Sequence, residues 1–214
     1  MRKSVIAIMA AAVLILSAGY LFVSHAYAQN EKAASVGSTL ANLMTAYNGE
    51  SNANARYLAF AAKADEEGYG PVASLFRAAA RAEQIHFERH AEAIKKLGGT
   101  PEATIETTLV KSTKENLEAA LKGETYERDI MYPEFLKQAE KDKNKDAIDA
   151  FEDAQAAEGV HAKWYAQVLK GMSAWKGGNK EFFVCPLCGN VVDVLPGLTC
   201  PICATPTEKF IAVS

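Results

Sequence analysis

The sequence predicts a mainly α protein, a four-helix bundle followed by a small β module at its C-terminus. Three observations predict it. Four long segments, 38–67, 71–97, 112–141 and 144–171, repeat apolar side chains at spacings of three and four, as a half-buried helix does. Gly- and Pro-containing breaks separate them. All four cysteines fall within residues 185–203, among short aromatic and β-branched runs with turns between them.

Taken in order, residues 1–28 are a different material. Arg2 and Lys3 precede an apolar run from Val5 to Val23, and Ala26-Tyr27-Ala28 follows it. A basic start, an apolar stretch and an Ala-x-Ala site predict an export signal cleaved after Ala28, and so a periplasmic or other extracytoplasmic product. The run also approaches the length of a membrane span, so an uncleaved anchor is the alternative. No Arg-Arg pair supports the twin-arginine route. Cleavage removes Arg2 and Lys3 and no acid, taking the formal charge from −3 to −5. No basic patch stands out, which argues against nucleic acid as a partner.

The bundle is expected over residues 29–175, after a short polar linker. The first helix carries Leu40, Leu43, Tyr47, Glu50, Asn54, Tyr57 and Ala61 on one stripe, and Gly68-Tyr69-Gly70-Pro71 ends it and starts the next. The second stripe runs Val72, Leu75, Phe76, Ala79, Glu83, His86, His90, Ile94 and Leu97, to a stop at Gly98-Gly99. Residues 100–111 are long enough to cross the bundle. Ser112 and Glu115 offer a capping box to the third helix, whose stripe is Leu117, Leu121, Glu124, Glu127, Met131 and Phe135. Pro133 lies inside that stripe and predicts a kink or local break. The fourth helix shows Ile148, Phe151, Gln155, Glu158, His161, Tyr165 and Val168 before Gly171. A Gly-containing hinge over 172–181 leads into the tail, residues 176–214, which is too small for a core without a staple.

Two of the stripes contain Glu-x-x-His: Glu83 with His86, and Glu158 with His161. Residues i and i+3 share a helix face, so each carboxylate and imidazole point the same way. Glu50 and Glu124 sit at the middles of the other two helices. Antiparallel packing brings the four helix midpoints to one level, which places the four acids in one layer. Buried carboxylates are costly without a cation. A single Glu from two helices and Glu-x-x-His from the other two is a ligand set for a pair of metal ions. Its oxygen-rich character suits iron or manganese better than zinc. The reading gives the bridging positions to Glu83 and Glu124, the terminal ones to Glu50 and Glu158, and an extra ligand to Glu127. His90 lies either behind the ligands or, the preferred reading, in the core as a structural histidine. Cys185-x-x-Cys188 and Cys200-x-x-Cys203 supply four thiolates, enough for a tetrahedral site of zinc or iron; two disulfides are the alternative.

From Glu50 to Cys203 the chain resembles the rubrerythrins. The stretches Glu50–Tyr57, Gly123–Tyr132, the two Glu-x-x-His motifs and the paired Cys-Pro knuckles carry the resemblance. It implies a ferritin-like bundle with a carboxylate-bridged diiron centre and a rubredoxin-like tail with one iron on four cysteines. It implies that Tyr57 and Tyr132 hydrogen-bond the diiron carboxylates, and that one iron exchanges His86 for Glu127 on redox change. It further implies a peroxidase that reduces hydrogen peroxide, fed by an electron-donor protein, in a homodimer or higher oligomer whose tail approaches the partner's diiron site. A ferroxidase or iron-handling role is the alternative. The export signal departs from the family pattern, which leaves the donor open.

Overall fold

Helix α1 (Thr39–Glu66) starts at Ser38, whose side chain accepts from the Ala41 N–H. Helix α2 (Gly70–Lys96) follows with Pro71 in its first turn. The structure, a computed structural model, describes residues 37–214, so the expected export signal and the Ala28 cleavage site lie outside the described residues. None of the described helices is long and apolar enough to cross a membrane.

Residues 100–111 form no helix or strand. They run back along α1, where Asn48 and Asn52 accept from the Thr104 and Glu106 N–H groups, each at 2.8 Å. Helix α3 (Thr113–Tyr126) therefore starts beside the end of α1, with the Thr113 N–H donating to Glu67. The Ser112–Glu115 capping box is present. A π turn, Glu127–Met131, joins α3 to α4 (Tyr132–Lys141). Pro133 has no N–H to give, and the ladder adjusts one turn earlier: the Tyr132 N–H reaches back five residues to the Glu127 carbonyl. Helix α5 (Lys145–Lys170), capped by Asn144, completes the bundle. The core between α1, α2 and α5 is built from Ala53, Ala79 and Ala82 as much as from Phe60, Phe76 and Tyr165, so these helices pack closely.

The tail forms a three-stranded antiparallel sheet in the order β2 (Val191–Val192), β1 (Phe182–Val184), β3 (Ile211–Val213). Phe182, Val184 and Val191 belong to the same buried cluster as Phe60, Val72 and Phe76 of the bundle. The stretch expected to be a hinge is pinned. The Gly70 N–H donates to the Gly177 carbonyl and the Gly177 N–H to the Gly68 carbonyl, each at 3.1 Å. A Cβ on Gly70 would lie 2.4 Å from the Gly177 oxygen. The tail accordingly packs on the bundle of its own chain.

Candidate metal centres

The bundle site begins as two helical turns, Glu83–His86 on α2 and Glu158–His161 on α5, faced by Glu50 from α1 and Glu124 from α3. All six side chains are buried, each 0–1% exposed. They form two donor groups: Glu50, Glu83, His86 and Glu158; and Glu83, Glu124, Glu158 and His161. Glu83 and Glu158 belong to both groups. Read from the sequence, the bridging positions fall to Glu83 and Glu124; the donor groups instead share the carboxylates of the two Glu-x-x-His turns, and Glu124, like Glu50, belongs to one group only. The physical reason is that α2 and α5 pack directly against each other, with the His86 and His161 rings stacked, a relation that residue spacing does not contain. Glu127, half-buried on the π turn, stands outside both groups.

Several donor atoms lie close without hydrogen-bonding one another. The His161 Nδ1 atom is 2.8 Å from Glu158 and 3.6 Å from both Glu83 and Glu124, yet has no hydrogen bond. One oxygen each of Glu50, Glu83 and Glu124 and both of Glu158 also have no hydrogen-bond partner. Buried orphans of this kind are rare unless something else satisfies them. Without a cation the charges do not balance. Burial, then repulsion from Glu158 and Glu83, holds the Glu50 and Glu124 carboxyls well above their ordinary range. Burial, then Glu50, does the same to Glu127. Burial works against the Glu158 charge too, but His86 and His161 overcome it and hold that carboxyl far down. Burial lowers both imidazoles, and the surrounding carboxylates more than reverse it. The metal-free site therefore keeps protons where cations fit.

The tyrosines stand behind the terminal carboxylates. Tyr57 donates to Glu124 Oε1 at 2.6 Å, and Tyr132 donates to Glu50 Oε1. Both phenols are buried and held well above their ordinary pKa, by burial first, so they stay donors.

The second centre lies in the tail. The four sulfurs lie within 4.8 Å of one another, with Cys185–Cys203 at 3.4 Å and Cys188–Cys200 at 3.5 Å. All four are free and converge on one point, the arrangement of a single metal site and not of two separate disulfides. Four thiolates about 2.3 Å from one ion would sit about 3.8 Å apart, so little adjustment is needed. A hydrogen bond from the Cys188 thiol, with backbone N–H groups, pulls Cys185 down to about 4, and the same contact pushes Cys188 up. One thiolate forms readily, and a cation must supply the rest.

What the sequence did not disclose is how the two centres meet. The His86 Nε2–H donates to the Cys188 carbonyl at 3.0 Å, and the His161 Nε2–H to the Gly189 carbonyl at 3.1 Å. Arg89, paired with Asp153, donates to the Leu187 carbonyl, and the Trp164 Nε1–H to the Val191 carbonyl. The first cysteine knuckle thus fixes the tautomer of both imidazoles, leaving each Nδ1 for a cation. Gly189 makes this possible: its φ is +74°, and a Cβ there would lie 2.4 Å from His86 Nε2. The Cys-x-x-Cys-Gly run was the available signal for Gly189; nothing in the sequence marked Arg89 or Trp164.

Comparison with known proteins agrees with this geometry. The profile of the family described as Rubrerythrin matches residues 41–169. Nigerythrin of Nitratidesulfovibrio vulgaris is 37% identical over 178 residues, 83% of this chain and 87% of the relative. Rubrerythrin of Porphyromonas gingivalis is 33% identical over 176 residues, 79% of this chain and 86% of the relative. The solved structure of nigerythrin in its fully reduced, all-ferrous state superposes with a TM-score of 0.78 at 36% identity, over 85% of this chain and 90% of that one.

Proposed function

The chain belongs to the rubrerythrin family, and we propose that it is a peroxide reductase that draws electrons through its own cysteine centre. The observation that carries this reading is the pair of hydrogen bonds from His86 and His161 to the Cys188 and Gly189 carbonyls. They join the two donor clusters directly, which electron delivery needs and iron storage does not. The nigerythrin relative has an all-ferrous state, which supports iron in both centres here.

When bound, two ferrous ions in the bundle supply the two electrons that turn hydrogen peroxide and two protons into two waters, and an iron on four thiolates replaces those electrons singly. The protein's part follows from its residues. Glu83 and Glu158 would serve both positions, Glu50 with His86 one, and Glu124 with His161 the other. Four carboxylates and two neutral imidazoles balance two divalent ions, and Glu127 stands ready as a fifth negative charge once the charge there rises. A carboxylate suits the harder oxidised ion and an imidazole the softer reduced one, so Glu127 would serve the oxidised form of the position that His86 would serve when reduced. Tyr57 and Tyr132 orient Glu124 and Glu50, and the burial of all six donors excludes bulk water.

The test is turnover with an artificial reductant. Cys200→Ser is expected to abolish steady peroxide reduction while a pre-reduced sample still completes one turnover. Undiminished steady turnover contradicts the proposed route.

We propose in addition that the chain is exported and begins at Gln29, so an extracytoplasmic electron carrier replaces soluble NADH as donor. Thiols in an oxidising space require metal to arrive before disulfides form. Fractionation with N-terminal sequencing tests this. A soluble cytoplasmic product beginning at Met1 contradicts export, and a membrane-bound one favours the anchor.

A further inference from the structure

Glu50 and Glu124 hold equivalent places at the two ends of the bundle site, and each accepts from a buried tyrosine. Behind the tyrosines the ends differ. Tyr57 is packed against Phe76 at 5.9 Å and Tyr165 at 5.8 Å between centroids, with the Arg56 guanidinium 6.0 Å over its ring face and, among the described residues, no imidazole on its phenolic oxygen. Tyr132 is backed by an imidazole: His90 Nε2 lies 3.1 Å from the phenolic oxygen, and the His90 ring packs on Phe151. His90 is fully buried one turn beyond His86, and its Nδ1 has no hydrogen-bond partner.

A phenol carries one proton, and Tyr132 gives its proton to Glu50. With Glu50 ionised, as a bound cation requires, the contact between His90 and the phenolic oxygen uses the proton of Nε2. His90 is fixed as the neutral Nε2–H tautomer, with a bare Nδ1 against the apolar core. Burial, reinforced by His86 and Arg89, lowers its pKa to about 3 and keeps it neutral.

We propose that His90 is a positioning residue for the metal site, acting through Tyr132 on Glu50. A donor on the phenolic oxygen polarises the O–H and tightens its bond to Glu50 Oε1. That engages one carboxylate oxygen and leaves Oε2, which has no hydrogen-bond partner, for the cation. Among the described residues no imidazole or amide N–H donates to the Tyr57 oxygen, and Arg56 meets the face of that ring instead, so the two metal positions are made unequal by the fold, and the position served by Glu50 and His86 is the tuned one. The proposal rests on the reading of the bundle as a metal site.

The test titrates manganese(II), which prefers oxygen and nitrogen to thiolate, into the full chain after a chelator has cleared the bundle. Calorimetry and electron paramagnetic resonance follow the two positions. His90→Phe is expected to weaken one position about tenfold and spare the other. His90→Gln, which keeps an N–H donor, is expected to recover most of the loss. In a Tyr132→Phe background, His90→Phe is expected to add nothing. Nitrogen-15 NMR of the chain loaded with zinc(II), a diamagnetic stand-in, is expected to show His90 as the neutral Nε2–H form across the neutral pH range. Equal weakening of both positions, an unchanged His90→Phe, a full effect in the Tyr132→Phe background, or an Nδ1–H tautomer would each overturn the proposal. Failure of the unsubstituted chain to bind two ions in the bundle overturns the metal reading itself, which separates the two failures.

Discussion

The carboxylate cluster and the cysteine cluster are built in opposite ways. The first collects Glu50, Glu83, Glu124 and Glu158 from four helices, so it exists only when the whole bundle is in register. The second takes its four sulfurs from two tight turns of one short segment. The dependence reverses at the level of packing. The bundle has its own core, whereas the apolar face of the tail's sheet is buried among bundle residues. In return, the tail supplies the carbonyls that orient both bundle imidazoles. A locally encoded metal site thus still needs a large partner to place it. The long-range site needs the local one to finish its ligands.

The hardest way to break the comparison is to remove a shared carboxylate. Glu83→Ala and Glu158→Ala are each expected to lose both bundle ions and all peroxide reduction while the tail keeps its iron and its visible spectrum. Glu124→Ala is expected to lose only one ion. Metal analysis per chain decides it, and retention of two ions in Glu158→Ala would restore the bridging role to Glu124. Next comes Gly189→Ala. The left-handed backbone costs about 1–2 kcal/mol for a side chain, and the clash with His86 lifts the knuckle from the bundle. Both centres are expected to keep their metal while electron transfer between them, read by rapid mixing, slows at least about tenfold.

A subtler effect separates the clusters by proton count. Glu50, Glu124, Glu127, His86 and His161 all hold protons more tightly than usual in the metal-free bundle. Cations must expel those protons, so apparent metal affinity of the bundle rises with pH and falls as the pH drops. Calorimetry in buffers of different ionisation enthalpy is expected to show net proton release; proton-neutral binding contradicts the charge account. The smallest effect is that of Trp164→Phe, which removes one hydrogen bond to the Val191 carbonyl and is expected to lower stability by about 1 kcal/mol with both metal sites intact.

Much of the bundle was legible because its signals are periodic. The stripes, the Ser112–Glu115 cap and the Gly98-Gly99 stop lie within single turns, where spacing and geometry are the same information. The doubled Glu-x-x-His was readable for the same reason. The pair of carboxylates shared by both donor groups was not, since it depends on which helices pack against each other at the site. The pinning of residues 172–181 was illegible too, because glycine signals permitted conformation and says nothing of the backbone partner it meets. Pro133 gave the place of the break but not its form, a π turn carrying Glu127. His90 read as one more buried stripe residue because its partner, Tyr132, lies on another helix.

The central claim is that peroxide takes electrons from the tail only by way of the bundle. Rapid mixing of fully reduced protein with hydrogen peroxide, followed by the visible absorbance of the four-thiolate iron, tests it most directly. The tail iron is expected to oxidise within the first turnovers of the unsubstituted chain and to stay reduced on that timescale in Glu83→Ala. Oxidation of the tail at the same rate in both proteins would contradict the account.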